Sequence, residues 1–259
     1  MNALSQIIFL IVIVIISVSK VFSSEEGQEV CNRYRQFRVT GPLPLTVFPF
    51  IADFLQYNLT HRHPDRVDDG RGTCNPHQVP DIAKPHLKRF ANCYERSWSV
   101  ELVDTLVTAA KSRVDFSPRD YPHCVTDFYA AFDKYPITGK KVMIGGAISP
   151  WNEAIAIAFG ASSVTTAEYS DLKCASDKIK IVSTPSILNL SFKGVFDAIC
   201  SFSSIEHDGL GRYGDPIDPT GDFSAMKEFK YLLKPGGLLY LGIPIGYNGI
   251  IFGNSHRIY

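Results

Sequence analysis

The sequence predicts an α/β protein in which a mainly parallel sheet is flanked by helices. From Lys141 onward, short apolar segments of strand length alternate with helical stretches, and this alternation is typical of parallel sheets. The chain has 259 residues, 45% of them hydrophobic and 20% charged, so it can bury a core of ordinary size. We expect one α/β domain over residues 125–259, preceded by an extension of different character.

Each element of the domain follows from the spacing of its apolar residues. In chain order we predict strand one at 141–144, a helix at 151–161, strand two at 163–169, strand three at 178–183, strand four at 195–203, a helix at 222–233 and strand five at 238–244. Ser149 is expected to cap the first of these helices, with Pro150 at its first position. The turn Lys234-Pro235-Gly236-Gly237 ends the second helix and lets the chain reverse into strand five.

Residues 24–124 form a less regular extension. Residues 97–114 have apolar side chains spaced three and four apart after a serine, which predicts an amphipathic helix. A shorter helix is expected at 125–135, at the start of the domain. The polar stretch at 60–80 contains Gly and Pro and is expected to be a solvated loop. Its histidines and aspartates suit divalent ions, but their spacing matches no known ligand pattern.

The first 23 residues are predicted to be a signal peptide or a membrane anchor. Ile7–Val18 is an uncharged, mostly apolar run of 12 residues, and as a helix it would span about 18 Å of the ~30 Å bilayer core. The small residue Ser23 suits signal-peptidase cleavage before Ser24, which favours a secretory or extracellular location. If the segment stays uncleaved, the basic residues that follow it favour an anchored protein with a cytosolic domain.

Two further features bear on the compartment and on partners. Sequons at Asn58 and Asn189 suit a secretory route, and the even number of cysteines, 6, is compatible with disulfides. Cys200 lies in predicted strand four and is expected to be a buried free thiol. The 26 basic and 26 acidic residues give a net charge of zero, so no electrostatic argument supports nucleic-acid binding. Membrane contact is expected only through an uncleaved N-terminal segment.

Several segments resemble the class I S-adenosylmethionine-dependent methyltransferases of the small-molecule type. FKYLLKPGGLLYLGIP (Phe229–Pro244) resembles their helix, Leu-Lys-Pro-Gly-Gly turn and fifth strand, and FDAICSFSSIEHDG (Phe196–Gly209) resembles their fourth strand with its frequent Glu-His end. The likeness covers roughly residues 125–244. More narrowly, the whole chain resembles a nematode family of unknown function with such a core. The resemblance implies a Rossmann-like methyltransferase fold truncated after strand five, which would leave strand five as an exposed sheet edge.

The resemblance also implies a cofactor, S-adenosylmethionine, and a methyl acceptor that is a small molecule or a glycan. The implied cofactor-binding residues lie at the ends of strands one, two and four: Gly145, Gly146, Ala147, Ser149, Glu168 and Ser203. Glu168 would accept the ribose hydroxyls, as an acid at this position does in dinucleotide folds. Glu206 and His207 are the implied catalytic residues, since a histidine with a pKa of about 6.5 can take a proton from a substrate hydroxyl.

The cofactor loop departs from the family pattern. The family's acid in strand one falls on Met143, and its three glycines fall on Gly145, Ala147 and Ser149. Ser183 and Thr184 stand where an acid near the adenine is frequent. These departures also fit a second interpretation, a non-catalytic secreted or membrane-anchored protein that kept the fold and lost the cofactor pocket. The sequence leaves both interpretations open.

Overall fold

The computed structural model of the protein describes residues 14–17, 80–87, 89–90, 93–94, 96–189, 193–210, 213, 215–216, 218, 220–244 and 256–257. The sequon at Asn58, the predicted loop at 60–79 and the cysteines Cys31 and Cys74 lie outside these residues. Most of the predicted leader and of the extension does so too. The leader, the sequons and any disulfides of the N-terminal cysteines therefore stay predictions.

The elements follow one another along the chain in the predicted α/β alternation. The strands are β1 (Val14–Ser17), β2 (Arg89–Phe90), β3 (Cys93–Tyr94), β4 (Ser97–Trp98), β5 (Lys141–Gly145), β6 (Ser163–Glu168), β7 (Lys173–Cys174), β8 (Ile179–Ser183), β9 (Phe196–Phe202) and β10 (Leu233–Gly242). The α-helices are α1 (Val100–Lys111), α2 (Cys124–Lys134), α3 (Trp151–Ala158), α4 (Thr184–Asn189) and α5 (Gly221–Leu232). Short 3-10 helices cover Asp81–His86 and Ile205–His207.

Among the described residues, the main sheet has six strands in the order β1-β10-β9-β5-β6-β8. The five strands from β10 to β8 are parallel to one another. From β5 the chain first adds β6 and β8 on one side and then β9 and β10 on the other, so the strand order reverses at β5. This arrangement confirms the predicted α/β class and is consistent with a Rossmann-like fold, in which ligands bind at such a reversal point.

Strand β10 is not the edge of this sheet. The resemblance led us to expect an exposed edge at strand five, but β1 pairs with β10 in antiparallel register, with Val14 opposite Leu241. The apolar run of the predicted leader thus supplies the edge strand, and its Val and Ile residues suit that conformation. Within the described residues, no helix has both the length and the apolar character needed to cross a membrane.

Helices cover both faces of the sheet. Along β5, Val142 and Ile144 belong to a cluster built with α1, α2 and α3, whereas Met143 belongs to a second cluster built with α4 and α5. Because successive strand residues point to opposite faces, the two clusters are the cores on the two sides. Cys200 of β9 is a fully buried free thiol, as predicted.

Helix α1 begins later than its predicted start at residue 97. Ser99 is its N-cap, and the Ser99 Oγ accepts a hydrogen bond of 3.1 Å from the Leu102 N–H. The two residues before it, Ser97 and Trp98, form β4 instead and pair in parallel with β7. This pairing joins the extension to the chain that follows β6, and it could not be read from local spacing.

Candidate functional site

A pocket of about 110 Å³ lies at the carboxyl ends of β5, β6 and β9, where the strand order reverses. In open α/β sheets this crevice is the usual position of a ligand. Its polar lining includes Arg96, Glu168, Ser203, His207, Asp208 and Glu228, and its apolar lining includes Met143, Trp151, Ile187 and Phe202. The fold thus places a candidate site where the sequence predicted one.

Nearly all of the predicted site residues meet at this pocket. Those that line it are Gly145, Gly146, Ala147, Ser149, Glu168, Ser203 and His207. The exception is Glu206, which is 1% exposed. Its Oε1 accepts a hydrogen bond from the lining residue Ser203. Their proposed roles in binding and catalysis stay predictions.

The loop after β5 needs its glycines for packing within the protein. Gly146 has a φ of +75°, a left-handed conformation that favours glycine. A Cβ at Gly146 would lie 2.2 Å from the Ser204 Oγ, and a Cβ at Gly145 would lie 2.9 Å from the Phe229 ring. The Ser204 side chain and the Phe229 ring therefore occupy the space beside these two glycines.

Ser149 does not cap α3, contrary to the sequence prediction. Pro150 occupies the N-cap position, and α3 begins at Trp151. Ser149 is thus one residue too early for its hydroxyl to reach the first-turn N–H groups that a cap satisfies. Among the described residues, the buried Ser149 Oγ and Asn152 Oδ1 have no hydrogen-bond partner. Both residues line the pocket.

The Glu168 carboxylate stands at the pocket, but the protein itself engages both of its oxygens. The Oε2 atom accepts a hydrogen bond of 2.9 Å from the Ala147 N–H and lies 3.3 Å from Arg96 Nη2. The Oε1 atom accepts from the Tyr169 N–H at 2.9 Å and from the N–H and hydroxyl of Ser170 at 3.1 and 3.0 Å. Since a carboxylate offers about four acceptor positions, little capacity is left for a ligand.

Arg96 is a site residue that the sequence analysis missed. Its Nη2 donates to the Ala147 carbonyl at 2.9 Å, besides its ion pair with Glu168. Nearby, Trp98 Nε1 donates to the Ile148 carbonyl at 3.4 Å. The extension thus donates hydrogen bonds to carbonyl groups of the loop after β5. No local motif marks Arg96, since its partners lie 51 and 72 residues further along the chain.

A strained turn follows β9. Ser203 has a φ of +46°, a conformation that residues other than glycine adopt only at a cost in free energy. Its Oγ donates to Glu206 Oε1 at 2.7 Å, and its N–H donates to the Gly242 carbonyl at 2.8 Å. The Tyr121 hydroxyl lies 3.0 Å from the Ser203 Oγ. Tyr121, another lining residue from outside the predicted set, thus joins the site.

Burial shifts the ionisation of the acids around this turn. Removal from water raises the pKa of Glu206 to about 7, although the Ser203 hydrogen bond, backbone N–H groups and Arg257 oppose the shift. Burial also raises the pKa of Asp208 to about 8, and the neighbouring Asp215, Glu206 and Glu228 carboxylates add to the effect. A cationic group in the pocket would therefore be favoured electrostatically.

His207 lies at the pocket beside Glu206. Its Nε2 is 3.8 Å from Glu206 Oε1, and 14% of its side chain is exposed. Its ring packs edge-on against Tyr213, with centroids 5.2 Å apart. His207 therefore lines the pocket directly, whereas Glu206 is buried and contacts it through the Ser203 Oγ. In the part of the chain that the structure describes, no group of three or more His, Cys, Asp or Glu side chains could hold a metal ion.

The fold and the pocket define an α/β protein with a Rossmann-like sheet and a candidate ligand site at its reversal point. Residues 139–259 match the model of a family described as Caenorhabditis protein of unknown function, DUF268, which supports the resemblance to a nematode family. No curated protein matched the chain. The matched segment contains all of the predicted site residues, whereas Arg96 and Tyr121 lie before it.

Proposed function

We propose that the chain is an S-adenosylmethionine-dependent methyltransferase-like protein whose pocket takes this cofactor next to a small-molecule or glycan acceptor. The observation that supports the proposal most is the position of the pocket at the strand-order reversal, lined by Gly146 and Glu168. A glycine turn there allows a ligand to approach the backbone. An acid at the end of the next strand suits ribose hydroxyls.

The residue types of the pocket suit such a cofactor, but the pocket must widen to admit it. Its volume of about 110 Å³ is below the roughly 300–1,000 Å³ of typical small-molecule sites. Entry of a nucleoside requires Arg96 to leave the Glu168 carboxylate and Ser204 to move away from Gly146. A bound sulfonium group would favour the ionised forms of Asp208 and Glu228, and the resulting carboxylates would attract it.

When bound, S-adenosylmethionine supplies an activated methyl group, so the protein has mainly to align the acceptor. In this arrangement His207 is the accessible group that could take a proton from an acceptor hydroxyl. Glu206 would stabilise the protonated form of His207 electrostatically, since His207 Nε2 lies 3.8 Å from Glu206 Oε1. This division of roles assigns the proton transfer to His207.

A second candidate is a non-catalytic protein that kept the fold and lost the cofactor pocket. The observation that favours it is the set of hydrogen bonds to Glu168, which leaves little acceptor capacity for ribose hydroxyls. In this interpretation the Glu168 carboxylate holds the loops that follow β5 and β6 together by hydrogen bonds. These hydrogen bonds would give Glu168 a structural role in a protein that binds no cofactor.

Calorimetric titration of S-adenosylmethionine into the folded full chain separates the two candidates. Saturable binding that Glu168→Gln abolishes supports the cofactor site. The matched control is Asp171→Ala, which removes an exposed acid that does not line the pocket and is expected to leave binding unchanged. A chain that is folded by circular dichroism and gives no heat of binding would support the non-catalytic scaffold.

A further inference from the structure

Ser203 lines the pocket from a strand-to-helix turn. It follows β9 directly, has a φ of +46°, and precedes the 3-10 helix Ile205–His207. A sharp, strained turn of this kind at the carboxyl end of a parallel strand is the arrangement that exposes nucleophilic serines in α/β hydrolases. A strained backbone conformation persists only when surrounding contacts stabilise it. Here the Ser203 side chain bonds to Glu206 and the Ser203 N–H bonds to the Gly242 carbonyl.

The hydrogen bonds fix the direction in which the Ser203 proton points. The Ser203 Oγ donates to Glu206 Oε1 at 2.7 Å. When Glu206 is ionised, the single hydroxyl proton of Ser203 is used in this bond, so the Tyr121 hydroxyl is the donor in its contact of 3.0 Å with the same oxygen. Ser203 thus has a base on one side and a hydrogen-bond donor on the other.

This pair differs from a helix cap with the same Ser-x-x-Glu spacing. In a capping box, the serine oxygen accepts a hydrogen bond from the backbone at the start of a helix. Here Ser203 donates to the carboxylate, and the helix that follows has 3 residues and no side-chain cap. Elsewhere in the chain, Ser117 donates to the exposed Asp115 at 2.6 Å, but it does not line the pocket.

We propose that Ser203 is a nucleophile, with Glu206 as its general base and Tyr121 as a donor to the developing oxyanion, and that the pocket hydrolyses small carboxylic esters or thioesters. This activity goes beyond the proposed function and does not require S-adenosylmethionine. The three groups provide the parts that acyl transfer needs: a nucleophile, a base within hydrogen-bond reach and a donor beside the attacked carbonyl.

The reaction balances with water as the second substrate. The Ser203 Oγ attacks the acyl carbon while its proton passes to Glu206, and the leaving alkoxide or thiolate departs with that proton. Water then takes the place of the leaving group beside the Ser203 Oγ, attacks the acyl–serine ester and gives one proton to Glu206 Oε1, which lies 2.7 Å from that oxygen. The bond between acyl carbon and Oγ breaks, Glu206 returns the proton to Ser203, and a carboxylic acid is released.

The pocket restricts the acyl group to a small one. Its volume is about 110 Å³, and Met143, Trp151 and Phe202 line it beside Ser203. The apolar part of a cavity of this size suits a short, uncharged acyl chain. A negatively charged acyl group is disfavoured, because it would suppress the ionisation of the nearby acids, Glu206 included.

Labelling by a fluorophosphonate, which reacts with activated serines, tests the proposal. We expect mass spectrometry of the digested full chain to find the adduct on Ser203 and none on Ser117. The rate should rise between pH 6 and 8, because Glu206 acts as a base only when ionised and its pKa is raised to about 7. The charged or titratable groups around Glu206 are Arg257, His207, Asp208 and Tyr121.

Variants show whether Ser203 is labelled because it is activated or only because it is exposed. Glu206→Gln is expected to slow labelling about 100-fold through loss of the base, and Tyr121→Phe about 100-fold through loss of the donor. Ser183→Ala, which removes a serine at the end of β8 that bonds to Ser186, is expected to have no effect. No adduct on Ser203 in a folded chain, or an equal rate in folded Glu206→Gln, would overturn the proposal. If that variant does not fold, a flat pH profile of the unmodified chain would overturn it.

The outcomes for the two proposals are distinct. Labelling of Ser203 needs no cofactor, whereas the calorimetric test detects S-adenosylmethionine without any reaction at Ser203. A chain that binds the cofactor and is not labelled keeps the first proposal and loses the second. A chain that is labelled and does not bind the cofactor gives the reverse result.

Discussion

The Arg96 guanidinium is bound between the two loops that form the candidate cofactor site. Its Nη2 lies 3.3 Å from Glu168 Oε2 and donates to the Ala147 carbonyl at 2.9 Å. Both side chains of the ion pair are largely buried, with exposures of 16% and 8%. Arg96 therefore competes with any ligand that needs the Glu168 carboxylate.

Removal of this side chain is expected to strengthen cofactor binding. If a bound ribose has to displace Arg96, Arg96→Ala should tighten S-adenosylmethionine about fivefold, the equivalent of a weak ion pair of ~1 kcal/mol. Calorimetry on the variant measures the change, and Lys173→Ala, an exposed cation in β7, is the matched control. Weaker binding in Arg96→Ala would instead identify Arg96 as a residue that holds the ligand.

Two separate effects destabilise an alanine at Gly146. The first is its φ of +75°, and the second is the 2.2 Å approach of a Cβ to the Ser204 Oγ. Gly139 has a similar φ of +72° but nothing within 4 Å of a Cβ, so it isolates the first effect. We expect Gly139→Ala to lower the free energy of unfolding by about 1 kcal/mol.

The Gly146→Ala variant should lose more stability than Gly139→Ala, by about 1–3 kcal/mol as in overpacked cores. Urea denaturation of both variants and of the unmodified chain gives the two differences. Equal losses would mean that Ser204 moves away at no cost, and the pocket would then be easier to open than the packing indicates.

The sequence predicted most of the sheet because its elements depend on local patterns. The strands at 141–145 and 196–202 are short apolar runs, and both match their predicted positions closely. The predicted turn at residues 234–237 is not a separate element: these residues lie within β10, where the pairing with β9 shifts register between Leu233 and Leu238, and Gly236 there has a φ of +78°. Strands that are parallel must end at one edge of the sheet, so the convergence of Gly146, Glu168 and Ser203 was predictable as well.

The remaining features of the site come from contacts between distant parts of the chain. Tyr121 meets Ser203 across 82 residues and Arg96 meets Ala147 across 51, and no periodicity in the sequence reports such pairs. The hydrogen bonds of Glu168 depend on the exact placement of its side chain. The sequence therefore indicated the acid but not its partners. Ser149 was misassigned because a shift of one residue in the start of α3 removes it from capping distance.

Glu153 provides a test of stability against pH. It is completely buried in α3, its Oε1 accepts from the Thr166 hydroxyl at 2.7 Å, and its Oε2 has no partner among the described residues. Burial raises its pKa from 4.5 to about 7, so the folded state binds a proton more tightly than the unfolded state does. The contribution of Glu153 to the free energy of unfolding should therefore fall as the pH rises from about 4.5 to 7 and change little above that.

Glu153→Gln removes this titration and should flatten that part of the profile. At ~1.4 kcal/mol per pH unit, the shift from 4.5 to about 7 amounts to at most about 3–4 kcal/mol, so the variant should be the more stable protein at pH 8. Urea denaturation at pH 5 and pH 8 measures the slope. Glu101→Gln, an exposed acid in α1, is the control, and an unchanged slope in Glu153→Gln would assign the pH dependence to other groups such as Glu206 and Asp208.

The edge strand β1 links the predicted leader to the stability of the sheet. Val14–Ser17 pairs with Leu238–Leu241 of β10, so a chain without residues 1–23 exposes the β10 edge to solvent and to other chains. We expect that deletion to lower the free energy of unfolding by on the order of 2 kcal/mol through lost backbone hydrogen bonds and to promote self-association. A deletion of residues 2–12, which keeps β1, should cause neither effect. Urea denaturation and sedimentation velocity measure the two consequences, and identical behaviour of both deletions would show that the sheet does not depend on β1.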